Sequence, residues 1–271
     1  MWPMTTTIEI DGYLERKLDL LVGLGLYATK SEAVRDAVRR LLEQTDITKI
    51  ALDMYLKGMV SLGFCCEIAD LSCDEMLALL QRRGLKPKLG VESLGELESE
   101  VKAIESADSL LFELLPLAVL GRYLKLDFVS LSEKAFFIAE QQLDEIPFDT
   151  RRSVLTLLGG DESRLSVVKG VRGTEEFAAK NGLSIGEASS VLSALKIKAL
   201  LISDDQRVRD VARISGCAVA SSVSFIVYLL SSNKTSEREA RFALESEFSL
   251  GYSLPLTPTE LSALAQKLKG G

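Results

Sequence analysis

The chain has 271 residues, 47% of them apolar and 26% charged, with 32 basic side chains against 39 acidic and a net charge of -7. Such a length supports roughly two domains and a real core without disulfides or a structural metal. Histidine is absent, which excludes Ser-His-Asp and Cys-His catalysis, His-ligated zinc and any imidazole base. Acid–base or metal chemistry would have to run on carboxylates, lysine, tyrosine or cysteine.

The acidic balance gives no global field to steer the protein to nucleic acid, so such binding would need a local patch. The four cysteines, Cys65, Cys66, Cys73 and Cys217, have no C-x-x-C spacing, so neither a zinc ribbon nor a redox pair is expected. They read as buried apolar side chains in a reducing compartment. Residues 1–7 lead straight into a patterned segment, unlike a signal peptide. The longest apolar stretch, Leu110–Gly121, is broken by Glu113 and too short to cross a bilayer. A soluble cytoplasmic protein without a membrane partner is the expectation.

Thr5–Ile10 alternates polar and apolar residues and predicts a short half-buried strand. Leu14, Leu18, Leu21 and Val22 stripe one helix, and Val34, Val38, Leu41 and Leu42 a second, which Ser31 should cap. A lone strand and two short helices cannot bury their own apolar faces. Two copies pairing their strands as an antiparallel ribbon would solve this. Thr7-Ile8-Glu9-Ile10, Leu14, Leu18, Val22, Gly25-Leu26-Tyr27 and Ser31–Arg39 together resemble the ribbon-helix-helix family of DNA-binding regulators and antitoxins. The resemblance implies an intertwined homodimer whose ribbon enters the major groove of a DNA operator, read by Thr5, Thr7 and Glu9. The helix start at Ser31 would hold a phosphate. Glu9 departs from the usual basic or amide residue and could accept only from cytosine N4. A ribbon kept purely for dimerisation is the plainer alternative.

Residues 47–84 predict three helices: Ile47–Lys57 ended by Gly58, one from Ser61 to Asp70-Leu71, and Cys73–Arg83 capped by Ser72. Lys86-Pro87-Lys88-Leu89-Gly90 reads as a linker. Ala51–Gly63 and Glu67–Ser72, with Met76, Leu80 and Arg83-Gly84, resemble an uncharacterised antitoxin-like helix-turn-helix family. The third helix opens on Cys73, Asp74 and Glu75, which suits a helix dipole better than a phosphate backbone. A packing or protein-binding element is therefore favoured over base reading.

Glu92–Glu105 predicts an acidic connecting helix. Beyond it, Leu126–Leu131 and Lys198–Ser203 read as buried strands. Helices are expected at Leu110–Arg122, Glu133–Leu143, Gly186–Leu195 and Asp205–Ser215. That alternation argues for a parallel α/β sheet, with function at the carboxyl ends of its strands. Gly182–Ala188, Ala199–Ala212 and Gly216–Val219 resemble the PIN-domain family, as does the tail with helices at Ser222–Leu230, Ser236–Ser249 and Pro258–Leu268. The resemblance implies carboxylates gathered on Mg²⁺ or Mn²⁺ for RNA cleavage. Asp108 would be the first acid, Glu140 the second, Glu187 the third and Asp204 or Asp205 the fourth, with the metal on Asp108, Glu187 and Asp204. Each has a structural alternative as a helix cap or a solvated acid. Val101–Ala107 makes a poor central strand before Asp108, and Ala220–Ser224 lacks the glycine of the family's Thr/Gly-rich turn.

The expected architecture is mixed: a ribbon-helix-helix over 1–46, a helical segment over 47–90, a connecting helix over 91–107 and an α/β PIN-like domain over 108–271. Three functions stand at this point. One is a homodimeric DNA-binding regulator of toxin–antitoxin ancestry with a degenerate PIN-like half. Another is a metal-dependent endoribonuclease restrained by its own N-terminal segments. The third is a non-catalytic tether for RNA or a ribonucleoprotein such as the ribosome.

Overall fold

The computed structural model describes residues 7–124, 133–144 and 165–268. The chain divides into two compact units, Met1–Ile50 and Ala51–Gly271. The expected helical segment and connecting helix both fall almost wholly within the second.

In the first unit, α1 (Gly12–Gly23) and α2 (Lys30–Gln44) form where the apolar spacing places them. Thr29 caps α2, its hydroxyl accepting from Glu32 N, so the expected cap at Ser31 is corrected: Ser31 lies inside the first turn. Ala28 N in turn donates to the Glu32 carboxylate at 2.8 Å, which fixes the start two residues early. Thr7–Ile10 carries no strand in the single chain. α1 buries nothing and α2 only Ala33. Leu14, Leu20, Leu24, Leu26, Val38, Leu41 and Leu42 all stand exposed.

Next in the chain are α3 (Ile47–Leu56), whose first four residues belong to the first unit, and α4 (Leu62–Ala69) and α5 (Cys73–Arg82) of the second, close to the expected bounds. Ser61 caps α4, and Ser72 and Glu75 close a reciprocal box on α5. These are the hydroxyl caps the sequence advertises. Asp70 ends α4 in the left-handed region (φ 52) and turns the chain into α5. α6 (Leu94–Ser106) is not a mere connector, since Leu97, Val101 and Ile104 are buried and it packs on the strand at Val219–Ala220 and the helix at Ser222–Ser231.

Among the described residues five parallel strands make the sheet: β1 (Ser109–Phe112), β2 (Ala135–Ala139), β3 (Leu165–Val168), β4 (Leu200–Ile202) and β5 (Val219–Ala220), in the order β3-β2-β1-β4-β5. Along the strands, side chains alternate between two cores. Leu110, Phe112, Leu200 and Ile202 join one, and Leu111 and Leu201 the other, as a sheet covered on both faces requires. Between the strands run α7 (Leu114–Leu124), α8 (Glu140–Asp144), α9 (Thr174–Asn181), α10 (Ile185–Ile197) and α11 (Gln206–Ile214). The tail adds α12 (Ser222–Ser231), α13 (Glu237–Ser249) and α14 (Pro258–Leu268), the last three as expected. Among the described residues no helix is long and apolar enough to cross a membrane.

Two expected helices are corrected. Leu110–Phe112 is the central strand and the helix starts only after Glu113. Ala135–Ala139 is a strand and only Glu140–Asp144 is helical. Both are short apolar runs buried on two sides, which periodicity cannot separate from helix. The expected strand at Leu126–Leu131 lies outside the described residues.

Candidate functional site: an acid cluster closed by a helix end

The sheet order reverses between β1 and β4. A crevice at the carboxyl ends of those two strands is where open α/β folds place their chemistry. Glu113 follows β1 there, its N–H donating to Ile202 O at 3.0 Å. Ser203, Asp204 and Asp205 follow β4, and the start of α10 contributes Glu187. Glu113, Glu187, Asp204 and Asp205 are all buried. Glu247 of α13 joins them through Ser222, whose hydroxyl lies 2.8 Å from Asp204 Oδ1 and 2.5 Å from Glu247 Oε1. One hydroxyl has a single proton, so one of these two carboxyls must itself be protonated to fill both contacts.

Burial decides the protonation. It pushes Glu113 far up, helped by the charges of Glu187, Asp205 and Asp204. Burial also raises Glu187 and Asp204 against the hydrogen bonds that each accepts. Glu247 is driven well up by burial and by Asp204. Asp205 is pushed from 3.8 up to about 7, by burial first and Glu187 second. Desolvation here outweighs the compensating donors.

Those donors come largely from α4. Leu62 N donates to Asp205 Oδ2 at 2.8 Å, and Gly63 N to Glu187 Oε1 at 3.1 Å. The Ser61 hydroxyl donates to Glu187 Oε2. The first turn of α4 thus presents its free N–H groups and its positive dipole end to two carboxyls. Glu187 also closes the cap of its own helix, accepting from Ser184 N at 2.7 Å. A Cβ on Gly63 would stand 2.5 Å from Glu187 Oε1, so glycine is what lets the turn come this close. Ser61 N donates to Gly182 O at 2.9 Å, which anchors the loop before α4 beside the start of α10.

The expected linker at Lys86–Gly90 is likewise corrected. Gln206 N donates to Lys88 O, and Gly90 N to Asp204 O, both at 3.0 Å. Ser253 N donates to Leu89 O at 2.8 Å, and Tyr55 accepts from Lys88 N at 2.7 Å. The segment is a staple laid across the acid cluster. Beside it, buried Arg209 bonds Gly90 O, Glu96 and Glu100. The far oxygen of Glu100 accepts from Ser221 N, Ser221 Oγ and Ser224 Oγ.

Of the residues singled out in sequence, Glu187, Asp204 and Asp205 are brought together. Asp108 is not: it is exposed at the amino end of β1, because the strand follows it rather than precedes it. Glu140 stands exposed at the carboxyl end of β2 and accepts from Gly170 N at 3.1 Å. Thr7, Glu9 and Ser31 are exposed, and Thr5 lies outside the described residues. Missed were Glu113, Glu247, Ser61, Ser222, Tyr252 and the Arg209–Glu100 pair. Glu113 carried a signal, as a lone acid ending an apolar run.

Tested against a divalent ion, the residues in this arrangement do not fit. No group of three or more Asp, Glu or Cys among the described residues is placed to hold one. The oxygens that would turn to a cation accept instead from α4, from Ser222 and from Tyr252, whose hydroxyl reaches Asp204 Oδ2 at 3.2 Å.

A pH dependence follows. An acid whose folded value lies above its unfolded one contributes stability in full below the unfolded value and loses it as pH rises through the folded one. For Asp205 that window runs from 3.8 to about 7, and Glu113, Glu187, Asp204 and Glu247 share the sign. The melting temperature is expected to fall between pH 5 and pH 8 by calorimetry, with an Asp205 contribution on the order of 4 kcal/mol across its full window. A melting temperature rising over that range would show that the acids are not held neutral.

Comparison with known proteins gives one short similarity. A UPF0175 protein of Archaeoglobus fulgidus is 41% identical over 56 residues, 21% of this chain and 63% of that protein. The chain thus spans less than two thirds of that relative's length. No protein-family model matches the chain, and no solved structure matches it significantly.

Proposed function

We propose that this protein is a homodimeric nucleic-acid-binding regulator of toxin–antitoxin ancestry, whose PIN-like half is a closed, non-cleaving domain. The observation that carries this is the first unit, where two helices bury only Ala33 between them and leave seven leucine and valine side chains in water. Such a unit gains its core from a second copy, and pairing of the two Thr5–Ile10 segments would supply the missing layer. DNA would then meet Thr5, Thr7 and Glu9 in the major groove, with a phosphate at the start of α2 beside Ser31. Arg35 and Arg39 stand exposed on α2.

Two measurements test the reading. Sedimentation at micromolar concentration is expected to give a dimer, and a monomer would remove it. Titration of the protein's own promoter DNA should give a complex that weakens steeply with salt. No footprint even at low salt would remove the DNA-binding half of the reading.

One observation favours a second reading, a restrained Mg²⁺- or Mn²⁺-dependent endoribonuclease. Four acids gather at the sheet's switch point, and two of them are held by donors from α4 of the same chain. Departure of α4 would strip those donors away and leave charged oxygens open to a cation.

A further inference from the structure

The corner between α4 and α5 brings two thiols into contact. Cys66 Sγ lies 3.7 Å from Cys73 Sγ, although they are seven positions apart in sequence. Cys66 is buried in the last turns of α4, and Cys73 is half-buried as the first residue of α5. The other two cysteines differ: Cys65 is sealed beside Met76 at 4.0 Å, and Cys217 is buried against the backbone of Ala199 and Ala218. Gly63, whose amide reaches Glu187, sits one helical turn before Cys66 on the same helix.

We propose that Cys66 and Cys73 form a reversible dithiol site, oxidised by hydroperoxides to an intrachain disulfide that fixes α4 in place over the acid cluster. The hydrogen bond to Cys73 and burial both hold the Cys66 thiol protonated, which leaves the more accessible Cys73 as the attacking sulfur. Its thiolate attacks the peroxide, forming an S–O bond as the O–O bond breaks. The oxidant is reduced and leaves as water or an alcohol. Cys66 sulfur then attacks Cys73 sulfur, the S–S bond forms and the S–O bond breaks. The displaced hydroxide takes the Cys66 proton and leaves as water. The sulfurs must close from 3.7 Å to about 2.05 Å, a movement within reach of side-chain rotation at a helix corner. The site does not depend on nucleic-acid binding, so its failure and that of the regulator reading are separate.

The test uses the full chain, reduced with dithiothreitol and then exposed to hydrogen peroxide. Alkylation under denaturing conditions is expected to count four free thiols before oxidation and two after, with the bridged peptide pairing Cys66 and Cys73. Hydrogen exchange at the Leu62 and Gly63 amides should slow by about tenfold on oxidation, and dithiothreitol should reverse it. The Cys73→Ser protein should show no bridge and no slowing. Because that side chain is half-buried, the variant should melt close to wild type, which keeps the comparison valid. Four free thiols after peroxide, a bridge to Cys65, Cys217 or a second chain, or unchanged exchange at Leu62 and Gly63 would each overturn the proposal.

Discussion

Gly90→Ala is expected to lower the melting temperature by roughly 6–12 °C, the equivalent of about 3 kcal/mol. Gly90 has φ +90, and a Cβ there would stand 2.4 Å from the carbonyl oxygen of Ser253. Backbone, not a flexible side chain, is what it would meet. Relief would require the staple to lift, breaking the bonds from Gly90 N to Asp204 O and from Val91 N to Ser253 O. Arg209 would lose the Gly90 carbonyl as well. Gly95→Ala is the control, since nothing lies within 4 Å of its Cβ position and it sits in α6. It should be neutral or slightly stabilising, as alanine favours helix. Equal melting temperatures for Gly90→Ala and wild type would mean that residues 86–90 are a free linker.

Arg209→Met should cost about 3–5 kcal/mol, most of it from leaving buried Glu100 with only the partly exposed Arg213, 3.2 Å from its Oε1, as a cation. Arg209 is 2% exposed and Glu100 4%, so water cannot replace the lost partner. Ser221 N and the hydroxyls of Ser221 and Ser224 still face Glu100, which places the expected loss toward the lower end of that range. The Arg209→Met/Glu100→Gln double variant should recover part of it, because a buried charge left with Arg213 alone is gone while the serine donors keep an acceptor. The check is a double-mutant cycle by urea unfolding. Additive losses would show that the two side chains do not share one buried ion pair.

Much of this fold was legible because its signals are local. Ser61, Ser72 and Ser236 each carry a helix start, as hydroxyls beside unpaired N–H groups must. The bounds of α14 follow from Thr257 and Pro258 in the same way, with Thr257 and Glu260 closing its first turn. β1 and β2 were illegible for a physical reason: apolar runs of three residues in β1 and five in β2, buried largely on both faces, lack the alternation that betrays a strand. Misplacing β1 moved the first acid to Asp108 and hid Glu113, which lies at the other end of the strand. Glu187 was visible twice over, as the last residue of a Ser-x-x-Glu cap and as a member of the acid set, and its geometry serves both. The role of Ser61, 126 positions away from it in sequence, leaves no local trace.

Closure of the acid cluster by α4 and the 86–90 staple is a matter of geometry, and it explains why burial and hydrogen bonding absorb carboxylates that could otherwise take a cation. Dimerisation and nucleic-acid binding are proposals resting on the exposed apolar faces of the first unit.

Cleavage of a mixed labelled RNA pool with Mn²⁺ or Mg²⁺, by wild type and by Glu187→Gln, tests the closed cluster most directly. No cleavage above background is expected from either protein. Metal-dependent cleavage by wild type that is lost in Glu187→Gln would contradict this, and would make the acid cluster an open nuclease site.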